Sequence, residues 1–267
     1  MDIKGTSVRS LILRFLNNQK KRDNNYFIAQ GILKSFSKIP QLTIYDLSEE
    51  YFVSTSAISR FIRLLGFASY TEFKDAVATE IDIVNDYAKH FAQPAQEQSE
   101  EFMSIFTDNI LANINYVKEH IALEQVERIV ATIAQAENVA VFGLEFATFM
   151  GQHFQSKMAS MDKLIQVGFT IEEQIEIVET ISENSVALVF SMEGGFFYFS
   201  EKVIAALKEK GVTIIAFTFK NAPIIERNAE EVMICGEINE NTEGRIAILY
   251  IMELLIYYYM RDIYLIR

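Results

Sequence analysis

The stretch Leu42–Glu80, LTIYDLSEEYFVSTSAISRFIRLLGFASYTEFKDAVATE, decides how the chain is read. Thr43 with Asp46 three residues later is a helix-start signal, and the spacing carries that helix to about Tyr51 with Ile44 and Leu47 inward. The chain then turns at Phe52-Val53. Ser54 is a good N-cap for a second helix, which runs to Leu65 and stops at Gly66. Ile58, Phe61, Ile62 and Leu65 form its buried stripe, and Thr55, Ser56, Ser59, Arg60 and Arg63 lie away from it. Ser69 and Glu72 start a further helix through Phe73, Val77 and Ile81. Two short helices around a tight turn, the second with small hydroxyls and two arginines, are suited to laying a helix in the major groove. The predicted DNA-contacting set is therefore Ser54, Thr55, Ser56, Ser59, Arg60 and Arg63. An ordinary amphipathic helix with a solvated face is the competing reading. Two arginines alone would not separate the two, but the ordered set of cap, hydroxyls, arginines and terminal glycine favours DNA. Phe52 stands where such a turn usually has glycine. A bulky residue at positive φ costs on the order of 1–3 kcal/mol, so the turn is expected to take a different shape.

Upstream, residues 7–38 show helical periodicity in two runs separated by the polar stretch Asn17–Asn25, and Pro40 breaks the chain before Thr43. Downstream, Asp82–Glu101, with Pro94 and several Gln and Glu, reads as a linker. Two helices, 102–117 and 122–136, precede a strand at 138–142. Further strands are expected at 163–167, 185–190, 212–218 and 231–235. Helices are expected between them at 145–160, 171–182, 196–210 and 222–229, and an apolar helix, Arg245–Tyr264, closes the chain. Short β-branched runs separated by helices predict an α/β domain with a five-stranded parallel sheet of the doubly wound kind, preceded by an all-α helix-turn-helix domain. The expected division is residues 1–81, a linker at 82–101, and 102–267. Ligands of such sheets sit beyond the carboxyl ends of the strands, which directs attention to Gly143–Phe149, Ser191–Phe197 and Thr218–Pro223.

Charge follows the same division. The chain carries a net −12, yet residues 1–80 hold eleven Lys and Arg against eight Asp and Glu, and residues 81–267 hold thirteen against twenty-eight. Phosphate contacts are local, so the basic part is the one expected to face DNA. A single Cys235 excludes an internal disulfide framework. His90, His120 and His153 are scattered without metal or triad spacing, so no metal and no cofactor are expected. No run approaches the roughly 18 apolar residues of a membrane span, and MDIKGTSVRS lacks a signal-peptide layout. A soluble cytoplasmic protein is the expectation.

The run Ser54-Thr-Ser-Ala-Ile-Ser-Arg-Phe-Ile-Arg-Leu-Leu-Gly-Phe67, continued by Tyr70-Thr-Glu-Phe-Lys74, resembles the RpiR family of bacterial transcription regulators. The α/β part resembles the sugar isomerase (SIS) domain that this family carries behind its DNA-binding domain. The resemblance implies a non-enzymatic, homodimeric or homotetrameric regulator that binds operator DNA, with carbohydrate metabolism as its field. A phosphorylated sugar would tune affinity through the SIS domain. Two half-sites about 34 Å apart, or a multiple of that, would suit a two-fold dimer.

The effector turns depart from the family pattern. Where a G-x-G-x-S-S type turn is usual, this chain has Gly143-Leu144-Glu145-Phe146-Ala147. Where S-x-S-G-x-T is usual, it has Ser191-Met192-Glu193-Gly194-Gly195-Phe196. The candidate effector set is Gly143, Glu145, Ser191, Glu193, Gly194 and Thr218. At an effective dielectric of ~20, two unit charges ~4 Å apart repel by ~4 kcal/mol. That exceeds a charge-assisted hydrogen bond of roughly 1.5–3 kcal/mol. Glu145 and Glu193 therefore select an amino or otherwise cationic sugar, or else the pocket is lost and the domain only dimerises. The aromatic run Phe196–Phe199 suits a core or an interface better than a sugar site. The Tyr-rich closing helix reads as an oligomer contact, and Cys235 as a buried small hydrophobe. A sugar-phosphate isomerase and a ligand-blind regulator are the two alternatives.

Overall fold

Helical spacing of apolar residues up to Ala92 is realised, among the described residues of the computed structural model, as five α-helices. The structure describes residues 7–19, 21–92, 99–219, 222–239 and 242–266, without the side chains of 82–100. The helices are α1 (Val8–Asn18), α2 (Asn24–Lys34), α3 (Ile44–Glu50), α4 (Thr55–Leu64) and α5 (Tyr70–Ala92). Pro40 does not end structure outright; it sits inside a 3-10 segment, Phe36–Gln41, where its missing N–H is tolerated. Ile12, Ile28, Ile32, Leu47, Ile58, Phe61, Phe73 and Val77 are fully buried in one core. Each such side chain contributes roughly 1.5–3 kcal/mol relative to exposure. Glu80 of α5 closes the N-terminus of α1: its carboxylate accepts from the Val8 and Arg9 amides at 2.5 and 3.3 Å and pairs with the Arg9 guanidinium at 2.9 Å. A carboxylate there satisfies free amides and complements the helix dipole.

α5 runs on to Ala92, into the stretch expected to be linker, and α6 begins at Ser99. Ile81, Val84, Tyr87, Ala88 and Phe91 keep helical spacing across that stretch, a signal outweighed in the linker reading by Pro94 and its polar neighbours. Residues 93–98, Pro94 among them, lie outside the described residues. The chain divides into two compact units, Met1–Gln96 and Glu97–Arg267.

In the second unit α6 (Ser99–His120) and α7 (Leu123–Gln135) precede β1 (Val139–Gly143), and the alternation then runs α8 (Glu145–Ala159), β2 (Ile165–Val167), α9 (Ile171–Thr180) and β3 (Val186–Phe190). It continues through α10 (Gly195–Phe199), α11 (Glu201–Glu209), β4 (Thr213–Thr218), α12 (Pro223–Glu226) and β5 (Glu231–Ile234) to α13 (Gly244–Tyr259). The sheet is wholly parallel in the order β2-β1-β3-β4-β5. Successive residues feed opposite faces, as strand geometry requires. Val139, Val141, Leu188, Ile215 and Phe217 join a core with α6, α7, α8 and α13. Ala140, Phe142, Val189, Ile214 and Ala216 join the other with α9, α10, α11 and α12.

The helix expected over 196–210 is two helices, because the chain leaves helical geometry at Ser200 (φ −120°, ψ 40°). The aromatic run lies wholly in α10 and divides by face: Phe196 and Phe197 are buried, and Tyr198 and Phe199 are 60% and 71% exposed. The closing helix ends in a π-helical turn, Met260–Tyr264. Cys235 is fully buried, and burial pushes its thiol far above the ordinary range. Among the described residues no helix is long and apolar enough to cross a membrane.

Candidate nucleic-acid interface and effector cleft

α3 opens on the predicted capping box: Thr43 Oγ1 accepts from the Asp46 amide at 3.2 Å while the Asp46 carboxylate accepts from the Thr43 amide at 2.6 Å. The Thr43 amide, and then the Thr43 hydroxyl donating to the same carboxylate at 2.7 Å, hold the Asp46 carboxyl below its usual range. The turn after α3 is tied by Ser48, whose hydroxyl donates to the Val53 carbonyl and whose carbonyl accepts from the Val53 amide at 3.2 Å. Phe52 sits inside that loop at φ 54°, with its ring 93% exposed. The turn does not change hand to spare the phenylalanine; the backbone carries the strain.

Ser54 caps α4 by accepting from the Ala57 amide at 3.2 Å, and its hydroxyl lies 3.1 Å from that of Ser56. At the other end the Phe67 amide donates to the Ile62 carbonyl and the Gly66 amide to the Arg63 carbonyl, with Gly66 at φ 100°. That pair of bonds is a Schellman closure, completed by the buried Phe67 ring. Ala57, Ile58, Phe61 and Ile62 are the buried stripe, and Leu65 is only half-buried at the cap. Of the predicted set, Ser56, Arg60 and Arg63 are exposed on α4, Thr55 and Ser59 are half-buried, and Ser54 spends its oxygen on the cap.

In the second unit β1 and β3 are neighbours at the centre of the sheet, and their connections leave toward opposite faces. Gly143 stands opposite Phe190 at that switch point. A side chain at Gly143 would meet Ala147 Cβ at 2.3 Å and the Phe190 carbonyl oxygen at 2.7 Å, at φ 150°. Gln174 of α9, 2% exposed, donates from Nε2 to the carbonyls of Gly143 (2.9 Å) and Gly168 (3.3 Å), and its Oε1 accepts from the Gly143 amide at 3.4 Å. Ser191 Oγ accepts from the Phe196 amide at 3.0 Å, and Thr218 Oγ1 donates to the Met192 carbonyl at 2.9 Å. Both candidate hydroxyls thus shape the loops around Met192. Gly194 supplies the positive φ (82°) at the start of α10.

Glu145 is exposed in the first turn of α8, where the helix dipole favours a carboxylate. Glu193 is exposed and accepts from Asn239 Nδ2 at 3.3 Å. Glu145 therefore stands on α8 and Glu193 on the loop after β3, and Asn239 belongs to the loop between β5 and α13, which the strand-end spacing does not single out. Asn113 of α6, 1% exposed, holds that loop by donating to the Ile238 carbonyl at 2.7 Å and accepting from the Glu237 and Ile238 amides at 3.1 and 3.0 Å. Asn109, one turn earlier, donates to Glu243, a fully buried carboxylate, at 2.9 Å. Arg245 follows on α13, its guanidinium 5.2 Å from the centre of the Phe146 ring. The only local signals for these partners are Gln174 and Asn113 themselves, polar residues at core-facing helix positions. Lys220, Asn221, Glu240 and Asn241 lie outside the described residues.

His153 contacts Glu253 across α8 and α13 at 2.5 Å, and His120 stacks on Tyr116 within α6. The side chain of His90 lies outside the described residues. Among the described residues no cluster of metal-ligating side chains forms.

The helix-turn-helix domain model of the rpiR family matches residues 12–83, and the SIS domain model matches residues 132–258. An uncharacterised HTH-type transcriptional regulator of Haemophilus influenzae is 22% identical over 242 residues, covering 85% of this chain and 82% of that protein. The Vibrio vulnificus NanR protein complexed with ManNAc-6P is similar in structure over 95% of this chain and 92% of its own, with a TM-score of 0.52 and 16% identity. The sugar isomerase domain of an RpiR transcription factor from Sphaerobacter thermophilus covers 60% of this chain and 89% of its own, with a TM-score of 0.53 and 17% identity. Phosphoheptose isomerase GmhA from Neisseria gonorrhoeae covers 60% and 98%, with a TM-score of 0.51 and 14% identity. At these identities the structural likeness shows the fold.

Proposed function

The chain joins a helix-turn-helix domain of the rpiR family to a SIS domain, and from that premise we propose that it is a DNA-binding transcriptional regulator of carbohydrate metabolism. The observation that carries the reading is α4 itself: capped at Ser54, closed at Gly66, buried on one side and presenting Ser56, Arg60 and Arg63 on the other. An arginine in the major groove is suited to guanine O6 and N7, each good bidentate contact discriminating by about 1–3 kcal/mol. Arg60→Ala and Arg63→Ala should therefore weaken binding to a specific duplex about tenfold or more in a mobility-shift assay and relax base preference, with the melting temperature unchanged. Binding equal to wild type by both folded variants would remove α4 from the interface.

The SIS unit supplies oligomerisation, as a homodimer or homotetramer, and the cleft beyond Gly143, Ser191 and Thr218 is the effector site in this reading. A phosphosugar-class effector is supported by the NanR protein solved with ManNAc-6P. Glu193 and Asn239, which meet at the mouth of the cleft, favour a sugar bearing an amino or amide group. A thermal-shift screen of sugar phosphates and amino sugars tests this, since a ligand bound only by the folded state raises the melting temperature by mass action. No shift with any compound would favour a ligand-blind regulator. Catalysis is not part of the proposal, which draws on α4 and on the similarity to a transcriptional regulator. Aldose–ketose turnover by purified protein would reverse that view.

A further inference from the structure

Beside the last turn of α4 the helical unit opens a groove of about 430 Å³, lined by Arg14 and Asn18 of α1, its C-cap Gln19, and Leu64 and Leu65. Phe15 anchors α1 at this point, its ring edge-on to Phe61 at 5.1 Å. Leu64 is four residues after Arg60, one turn along the same face, so the groove opens on the flank of α4 that carries Arg60. Arg14 is half-buried and lines the groove. Lys21 is exposed two residues past Gln19, within about 7 Å along the chain.

The partner helix of the pair has the opposite character. α3 and its end expose Asp46, Glu49 and Glu50. A duplex presents one phosphate charge per roughly 1.7 Å of its axis, and a helix in the major groove has phosphate walls about 12 Å apart. The α1 end attracts such a wall, and the acidic surface of α3 is repelled by it.

We propose that Arg14 and Lys21, helped by the amides of Asn18 and Gln19, bind backbone phosphates of the duplex next to the bases that Arg60 and Arg63 read. The proposal rests on α4 being the DNA-contacting helix. It adds an anchor that fixes register and supplies affinity without base preference.

Duplexes selected by the full-length chain from a random library are the specific probe, and a scrambled duplex of equal length is the control. Both are titrated across roughly 50–200 mM salt. Arg14→Ala should weaken binding to both by the same factor, about threefold to tenfold, and lower the slope of log affinity against log salt by about one. Arg14→Lys should restore the slope. Lys21→Ala, at an exposed site, should lower it without disturbing the groove, and decides the matter if Arg14→Ala melts early. Arg60→Ala should instead erase discrimination between the two duplexes. Unchanged affinity and slope in Lys21→Ala and in folded Arg14→Ala would overturn the proposal and leave α4 untouched. A loss confined to the selected duplex would also overturn it, by making Arg14 a base reader. Failure of the wild-type chain to select any duplex would sink the underlying reading of α4 instead.

Discussion

Phe52 concentrates the tension between this sequence and its fold. A left-handed φ of 54° is what a glycine adopts freely and what a phenylalanine adopts under strain, and the ring, 93% exposed, gains little burial in exchange. The departure from glycine is visible in the sequence, but which side yields is not, because Ser48 fixes the loop from five residues away through both its hydroxyl and its carbonyl. Phe52→Gly should relieve roughly 1–3 kcal/mol of strain and cost about 0.5–1 kcal/mol in unfolded-state entropy. A net gain of about 1 kcal/mol raises the melting temperature of a unit this size by about 4–8 °C. Calorimetry of the full-length chain reads the effect directly, and a lower transition in Phe52→Gly would show that the ring makes a contact worth more than the strain. The candidate effector residues teach a related lesson. Glycine and hydroxyl positions can be located by spacing, but Ser191 and Thr218 turn their oxygens inward to Phe196 and Met192, a choice set by loop geometry.

Between elements, the contacts that matter most join distant parts of the chain, and these are what periodicity does not carry. Five strands separated by helices were readable because short β-branched runs contrast with 3.6-residue patterns. The order β2-β1-β3-β4-β5 was not, since it depends on which faces the crossovers cover. Asn113 is the sharpest case. It sits on the apolar side of α6, and its three hydrogen bonds go to Glu237 and Ile238, so nothing local announces the partner. Asn113→Leu keeps the branched shape and leaves two amides and a carbonyl unpaired, which should destabilise the SIS unit by about 3 kcal/mol. Denaturant unfolding followed in that unit checks it; a loss under about 1 kcal/mol would mean that water replaces the side chain. Tyr70 makes a comparable link in the helical unit. Its hydroxyl, at the start of α5, donates to the Leu42 carbonyl at 2.9 Å, and burial, with smaller contributions from Tyr51 and Asp46, pushes its pKa up to about 12. A raised tyrosine pKa means that the folded state holds the proton more tightly. The contribution is therefore complete below the unfolded value near 10 and is lost as pH rises toward 12. Stability measured across that window should fall in the wild type and fall less steeply in Tyr70→Phe, which begins about 1 kcal/mol lower for want of the bond. Parallel alkaline limbs in the two proteins would assign the titration to another group.

Across the whole chain the two units carry opposite charge: the net −12 is the sum of a basic first eighty residues and a strongly acidic remainder. A duplex at the α4 face meets attraction from one unit and long-range repulsion from the other. The repulsion is felt only over about a Debye length, ~10 Å at 0.1 M salt and ~30 Å at 0.01 M. The first unit, Met1–Gln96, has its own core and its own capped helices, so it can be produced alone. At low salt this fragment should bind non-specific DNA more tightly than the full-length chain, because the acidic unit is gone, and the difference should shrink as salt rises to ~0.2 M. On a duplex with two half-sites about 34 Å apart the order should reverse. There, in the proposed dimer, the SIS units would hold two reading helices in one assembly and turn the second contact into an intramolecular event, worth about a hundredfold or more when the geometry fits. Fluorescence anisotropy with both duplexes at two salt concentrations separates the effects. A fragment weaker than the full chain on non-specific DNA at low salt would mean that the second unit attracts the duplex despite its charge, and that its role is not confined to pairing and sensing.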